Sequence, residues 1–147
     1  MSDRTPPRYL KPMNRLVKGL HRLGIPTGAA MVLTVPGRKT GRLRSTPMTP
    51  FTYRGDLYTV AGYPGADWAA NARAAGIGTL SQGRRSRRVK IVELDPEEAR
   101  PVLREFPAQV PVGVGFAKRS GLVREGTPDE FEALAGELTV FRFDPVD

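Results

Sequence analysis

A chain of 147 residues with no cysteine, one histidine and a net charge of +8 is of a size that suits one domain with a modest core. The lack of cysteine excludes disulfides and thiolate metal sites, and His21 alone argues against a histidine metal site or a Ser-His-Asp triad. No apolar run approaches the roughly 18 residues that span a bilayer and no signal-peptide pattern is visible, so we expect a cytoplasmic protein.

The positive charge is concentrated in the first two thirds of the chain. Residues 1–92 carry 17 basic and 3 acidic side chains, a net charge of +14, whereas residues 93–147 carry 6 basic and 12 acidic ones, a net charge of −6. Such an excess favours an anionic partner, namely a phosphate-bearing ligand, an anionic membrane or a nucleic acid.

The first 24 residues divide into an arm and a helix. Residues 1–10 are polar and contain two prolines, which predicts a flexible arm, and residues 11–147 are predicted to form a single domain. Residues 11–24 have an apolar stripe at helical spacing with basic residues beside it, which predicts an amphipathic helix. This helix either packs on the rest of the domain or lies on an anionic membrane surface.

The remaining sequence predicts a mainly β fold with flanking helices (α+β). Six apolar or alternating runs predict strands at 30–35, 45–53, 57–61, 78–81, 84–94 and 138–143. Two prolines place the second of these at a sheet edge or give it a bulge. Helices are predicted at 67–74 with Asp67 as cap, from the Asp-Pro-Glu-Glu start at 95 to about 107, and from the capping box at 127 to about 135. Residues 108–126 are predicted as loop, and the element order suggests a barrel with helices packed outside it.

The segment 36–47, PGRKTGRLRSTP, collects phosphate-binding groups in one turn. Two glycines, Gly37 and Gly41, permit a tight turn with exposed amide N–H groups. The same stretch supplies four cations and three hydroxyls: Arg38, Lys39, Arg42, Arg44, Thr40, Ser45 and Thr46. These donors suit a phosphate, although the segment is not a Walker A loop, because its glycines are too close together and no helix follows. The alternative is a solvent-exposed turn that its charges keep soluble.

Joined to the helix start Trp68-x-x-Asn71, this segment resembles the deazaflavin-dependent nitroreductase family of actinobacteria. The resemblance extends from about Leu33 to Phe106 and more weakly to the end. It implies a split β-barrel related to flavin-nucleotide-binding proteins, often dimeric, with coenzyme F420 as the hydride carrier. Family substrates include quinones, unsaturated lactones and bicyclic nitroimidazoles.

From the turn and the resemblance together we expect a coenzyme site and no metal. The residues expected to bind the coenzyme are Gly37, Arg38, Lys39, Thr40, Gly41, Arg44, Ser45, Thr46, Pro47, Gly62, Asp67, Trp68 and Asn71. By resemblance, Lys39 and Arg44 contact the coenzyme phosphate, and Thr46 and Pro47 lie beside its ring.

One part of the family pattern is missing. In the family's best-known reductases, a lysine in the loop before the Trp helix meets the acidic tail of the coenzyme. Here that loop is Gly62-Tyr63-Pro64-Gly65 and contains no lysine. Candidate replacements are Arg73 and the arginines at 84–88.

Hydride transfer from a deazaflavin needs no protein nucleophile, so the lack of cysteine and of a catalytic histidine is no obstacle. Tyr63 or an ordered water is the candidate proton donor, and the alternative for Tyr63 is packing on the barrel rim. We therefore expect an F420-dependent oxidoreductase acting on a quinone-like, nitro or conjugated enone acceptor. The alternatives are a non-catalytic lipid or fatty-acid binder and an FMN-binding protein on the same barrel. Expected partners are a second copy of the chain and, through residues 11–24, the inner face of a membrane.

A second basic run, Arg84 to Lys90, lies in the predicted hairpin. Alternate residues of a strand point to opposite faces, so Arg85 and Arg87 face one way and Arg84 and Arg88 the other. No aromatic residues are interleaved and no known nucleic-acid module accompanies the run, which argues against nucleic-acid binding.

Overall fold

The computed structural model describes residues 30–146, so the predicted arm, the predicted helix at 11–24 and His21 lie outside the described residues. Within this range one antiparallel sheet contains strands β1 (Met31–Pro36), β2 (Leu43–Met48), β3 (Phe51–Tyr53), β4 (Asp56–Val60), β5 (Ile77–Gln82), β6 (Arg85–Glu93) and β7 (Val140–Pro145). The helices of the same range are α1 (Asp67–Ala75), α2 (Pro96–Gln109), α3 (Pro111–Arg119) and α4 (Pro128–Glu132).

The sheet is curled by its own connectivity. Its strand order is β2-β1-β5-β6-β7-β4-β3, so β2 and β3 lie at opposite edges although only Thr49 and Pro50 separate them in the chain. In a flat sheet these edges would be about 29 Å apart, since six interstrand spacings of roughly 4.8 Å lie between them. The step from Met48 to Phe51 spans at most about 11 Å. The edges therefore approach each other, and the sheet closes toward a barrel.

Closure separates two hydrophobic clusters. The concave side of the sheet buries one cluster with contributions from β1, β5, β6 and β7, and helix α1 packs into it through Ala69 and Ala72. The convex side of β3, β4 and β7 packs against helices α2 to α4 through residues such as Leu103, Phe106 and Phe131. Strand β7 serves both sides in alternation, as the two-residue period of a strand requires.

Three local predictions are corrected. The predicted strand at 45–53 is two strands at opposite sheet edges, although the edge position that its prolines predicted is confirmed. Residues 108–126 are not all loop, because Pro111 begins helix α3, and glycine at 113 is needed since a Cβ there would collide with the Phe106 ring. Asp67 does not cap α1: Ala66 holds the cap position, and Asp67 lies in the first turn.

The predicted helix start at Asp95 and the predicted capping box of Thr127 with Glu130 are confirmed, and Asp95 also forms a capping box, with Glu98. The capping box at Thr127 also organises the loop between α3 and α4. The Glu130 carboxylate accepts the backbone N–H groups of Arg124, Glu125, Gly126 and Thr127 at 2.7, 3.0, 2.7 and 3.1 Å. These hydrogen bonds, first among them those from Arg124 and Thr127, lower the pKa of Glu130 to about 2.

The variant Glu130→Gln is expected to lower the melting temperature at neutral pH, because an amide offers one acceptor oxygen where four N–H groups now share two. The folded pKa is about 2 and the usual value is 4.5, so the stabilisation is fully present above the usual pKa and is lost as the pH falls through the folded one. Thermal unfolding followed by circular dichroism checks this. The difference between wild type and variant should narrow as the pH falls from 4.5 toward 2. Glu125→Gln is the control, and a difference independent of pH would contradict the prediction.

Candidate functional site

A cavity of about 850 Å³ lies between the β1–β2 turn and the N-terminal end of α1. Its lining residues are Gly37, Arg38, Lys39, Thr40, Arg42, Leu43, Arg44, Ser45, Thr46, Asp67, Trp68 and Asn71. A volume of this order suits a ligand of cofactor size.

The turn is held by its own backbone. The Gly37 N–H donates to the Arg42 carbonyl at 2.7 Å, and the Gly41 N–H donates to the Gly37 carbonyl at 2.9 Å. Gly41 has φ +78°, a conformation that favours glycine, and the Arg42 N–H donates to Thr40 Oγ1 at 3.2 Å. The loop therefore has a defined shape without any ligand contact.

Arg38 ties this turn to helix α1. Its backbone N–H and its Nη1 both donate to Asn71 Oδ1, at 3.0 and 2.8 Å, and its Nη2 lies 3.2 Å from Asp67 Oδ1. Asn71 is only 8% exposed, so this bond is shielded from water, whereas the Asp67 carboxylate is well exposed and adds little. Arg38 is thus committed to a structural contact, together with two of the residues predicted to line the coenzyme.

The other cations of the turn have no acidic partner among the described residues. Lys39, Arg42 and Arg44 form no ion pair within residues 30–146. Arg44 lies across the turn, where a Cβ on Gly37 would be 3.5 Å from its Cγ and Nε. The N-terminal end of α1, which has no side-chain cap, faces the same cavity and adds a partial positive charge. The acid at the cavity, Asp67, is paired with Arg38, so the three remaining cations give the cavity a positive charge that favours an anionic group.

The remaining walls combine hydroxyl and aromatic groups. Thr46 lies opposite Leu33 on the concave face of the sheet, and Ser45 faces the other way, with its Oγ 2.8 Å from Thr34 Oγ1. Trp68 is half-buried, and its ring lies 5.8 Å from that of Phe141 in the concave cluster. Trp68 is both a core contact and an apolar wall of the cavity.

Most of the predicted coenzyme-binding residues meet here. Ten of them line the cavity, and Gly41 lies in the turn behind it. Pro47 lies further along the edge strand opposite Val32, and Gly62 lies in the loop before α1, against the Phe116 ring. Arg42 and Leu43 also line the cavity, although the sequence pattern predicts Arg42 only as a cation of the turn and gives no signal for Leu43.

Tyr63, the predicted proton donor, is 48% exposed and does not line the cavity. Its ring lies 6.3 Å from that of Phe116, so it packs at the rim of the fold. The loop that carries it runs directly into Asp67 of α1.

The two candidates for the missing tail lysine differ. Arg73 is bound to Glu93 through its Nε and Nη2 at 2.6 and 3.0 Å, which raises the pKa of Arg73 and removes it as a free cation. The arginines at 84–88 have no such partner in the described part of the chain, but their hairpin turn lies at the other end of β1 from the cavity.

The described residues contain neither a metal cluster nor a membrane-spanning helix. Among residues 30–146, no three His, Asp or Glu side chains converge as a metal ion requires. No helix of this range is long and apolar enough to cross a membrane.

Comparison with known proteins extends the description. A family model described as F420H(2)-dependent quinone reductase matches residues 9–122. No curated protein sequence matches the chain. Among solved structures, one described as the F420-H2 dependent reductase FDR-A is similar at 17% identity and a TM-score of 0.55, over 80% of this chain and 95% of that one.

Two other solved structures share the fold. One described as a domain-swapped dimer has 18% identity and a TM-score of 0.56, over 90% of this chain and 99% of that one. HutZ, the heme storage protein from Vibrio cholerae, has 11% identity and a TM-score of 0.56, over 94% of this chain and 91% of that one. Such likenesses concern the fold, and they confirm the predicted split β-barrel with flanking helices.

The contact between Arg38 and Asn71, here called the tether, predicts how Arg38 affects ligand binding. Arg38→Ala is expected to raise the Kd for F420 about tenfold, because one hydrogen bond to a charged donor no longer holds the turn. Fluorescence titration measures this, with Arg119→Ala on α3 as the control. In a double-mutant cycle with Asn71→Ala the effects should not add, because Asn71→Ala removes the side-chain contact that Arg38→Ala removes, together with the bond from the backbone N–H of residue 38. Additive effects would contradict the tether and would indicate that Arg38 contacts the ligand itself.

Proposed function

Because the chain belongs to the F420H2-dependent quinone reductase family, we propose that its cavity beside the β1–β2 turn binds coenzyme F420 and brings a quinone-like acceptor to it. Membership of this family makes the chain an F420-dependent reductase. What we propose is where the coenzyme binds and which class of acceptor is reduced. The observation that carries it is the set of three cations, Lys39, Arg42 and Arg44, at a cavity of coenzyme size with no acidic partner among the described residues.

The donor set of the turn fits a phosphate monoester. Lys39 supplies a point charge, Arg44 a planar fork that can engage two phosphate oxygens, and the Thr40 hydroxyl lies in the same turn. Lys39 and Arg44 are therefore assigned to the coenzyme phosphate. Thr46 and Pro47 of the edge strand are assigned to the neighbourhood of the ring, with Trp68 as the apolar wall.

The reduced deazaflavin supplies the hydride when it is bound, and the residues of this chain bind, orient and exclude water. Arg38 and Asn71 fix the backbone of the turn before the coenzyme binds. Binding therefore does not have to order the backbone that carries Lys39 and Arg44. The Trp68 ring, anchored against Phe141, keeps one side of the cavity apolar.

Reduction of a quinone to a hydroquinone takes one hydride and one proton. Nitro and conjugated enone acceptors need the same two particles, so they belong to the same proposed substrate class. Tyr63 is proposed as the proton source, because its hydroxyl has no hydrogen-bond partner within residues 30–146 and its loop leads into the cavity wall at Asp67.

Two partner proposals accompany this function. A homodimer is proposed, supported by the structural neighbour described as a domain-swapped dimer. Association of residues 11–24 with the inner face of a membrane is proposed from the sequence pattern alone.

Lys39→Ala combined with Arg44→Ala is expected to raise the Kd for F420 by about a hundredfold or more, since two charge-assisted contacts to phosphate are removed. Side-by-side fluorescence titrations with F420 and FMN measure it. Lys118→Ala with Arg119→Ala removes the same charge from the end of α3 and should leave the Kd unchanged. Tight F420 binding by the first variant would refute the phosphate assignment. Failure of the wild type to bind either coenzyme would favour the lipid-binding alternative.

Tyr63→Phe is expected to lower kcat for quinone reduction at least about tenfold and to leave the Kd for F420 unchanged, because the change removes only a hydroxyl. Steady-state kinetics against pH with a water-soluble quinone measure this, with Tyr53→Phe on β3 as the control. A variant with wild-type kcat and the same pH profile would assign the proton to water instead.

A further inference from the structure

The β5–β6 hairpin carries cations that the coenzyme site does not use. Arg84, Arg85, Arg87 and Arg88 are all exposed, and none forms an ion pair or hydrogen bond through its side chain within residues 30–146. One edge of the hairpin is open: β6 pairs with β5 over Arg85–Lys90 but with β7 only from Val89 onward, whereas β5 is covered by β1 as far as Ser81. These arginines therefore lie along an open strand edge and in the turn at its end.

The cations of the hairpin lie on both faces of β6 and in the turn, and do not follow a single face. Arg85 and Arg87 share the face of β6 that buries Val89, and Arg88 lies on the opposite face. Arg84 lies in the turn between the strands. A nucleic-acid strand needs a linear track of charges and commonly stacks on aromatic side chains, and this hairpin has no aromatic residue. Arginines grouped around the end of a hairpin fit a flat, negatively charged surface that the hairpin contacts with its end.

The start of β1 lies beside the same hairpin. The Gln82 side-chain amide donates to the carbonyl of Ala30 at 3.4 Å, and Val32 lies opposite Ser81. The four arginines are therefore grouped at one end of β1.

The cavity lies at the other end of β1. This strand runs from Met31, near the hairpin turn, to Pro36, beside the basic turn, a length of about 20 Å at roughly 3.3 Å per residue. A surface bound at the hairpin would leave the cavity open to water.

We propose that the β5–β6 hairpin docks this protein on an anionic phospholipid surface, with the coenzyme cavity facing away from the lipid. Each arginine near such a surface strengthens binding several-fold, so the cluster makes a strong contact that salt weakens. The surface is distinct from the coenzyme cavity and does not depend on the proposed acceptor.

The test is sedimentation of the full chain with vesicles of phosphatidylcholine, with and without phosphatidylglycerol, at low and high salt. Wild type should bind only the anionic vesicles and be released by salt. A triple variant should lower the partition coefficient of the protein into anionic vesicles about a hundredfold. It combines Arg84→Gln, Arg85→Gln and Arg88→Gln. The control Lys118→Gln, Arg119→Gln and Arg124→Gln loses the same net charge and should bind nearly as wild type.

Activity separates this proposal from the proposed function. F420H2-dependent reduction of a water-soluble quinone should be the same in the hairpin variant as in wild type, and the same with and without vesicles. A hairpin variant that binds vesicles normally but loses turnover would overturn the proposal and assign these arginines to the coenzyme. A variant that binds vesicles normally but forms higher oligomers would also overturn it, because the arginines would then only protect a strand edge.

Two further measurements test the proposal if the triple variant does not fold or if the hairpin prefers a nucleic acid. If the triple variant does not fold, trypsin cleavage of wild type at Arg84–Arg88 should be slowed by anionic vesicles and not by neutral ones; equal cleavage would overturn the proposal. Tighter binding of the wild-type hairpin to a single-stranded oligonucleotide than to anionic vesicles would likewise replace the lipid surface with a nucleic acid.

Discussion

The two-residue link between β2 and β3 is the constraint on which the rest of the structure depends. Thr49 and Pro50 join the two edges of a seven-stranded sheet, and a chain this short permits only a curled sheet. Curling produces a concave side that must be filled and a convex side that must be covered. Large side chains of β7 and the alanines of α1 fill the first, and helices α2 to α4 cover the second. The proline at 47 is tolerated because β2 is an edge strand.

Closure also creates the cavity that is proposed to bind the coenzyme. Helix α1 follows β4 and precedes β5, so it is held at the open end of the curled sheet, where its N-terminal end meets the β1–β2 turn. Asn71, buried on this helix, then reaches Arg38 across 33 residues of sequence. One cation of the turn is used to fix its geometry, and the three others at the cavity form no ion pair with the residues that the structure describes. The site is thereby organised before any ligand arrives, which lowers the entropic cost of binding.

The sequence predicted those parts of the site that are local. The basic turn and the Trp68-x-x-Asn71 start are each short segments whose chemistry can be recognised without knowing the fold, and the cavity brings them together. The contact between Arg38 and Asn71 was not predictable, because it depends on how the sheet closes. Helix α3 was not predictable for another reason. Glycine in a sequence is typical of a loop, but at position 113 glycine is required inside a helix because the Phe106 ring occupies the space that a Cβ would fill.

The ion pairs of the described residues lie mostly around the helices. Arg100 pairs with Glu132, and Arg104 with Asp129 and Glu132. At helix α1, Asp67 pairs with Arg38 of the turn, and Arg73 pairs with Glu93 of β6. Single cations such as Arg54 and Arg119 form no ion pair within residues 30–146, but two groups of such cations lie close together in the chain, in the turn after β1 and in the hairpin beside its start. These two groups lie at opposite ends of one strand, and each of them fits a different phosphate-bearing partner.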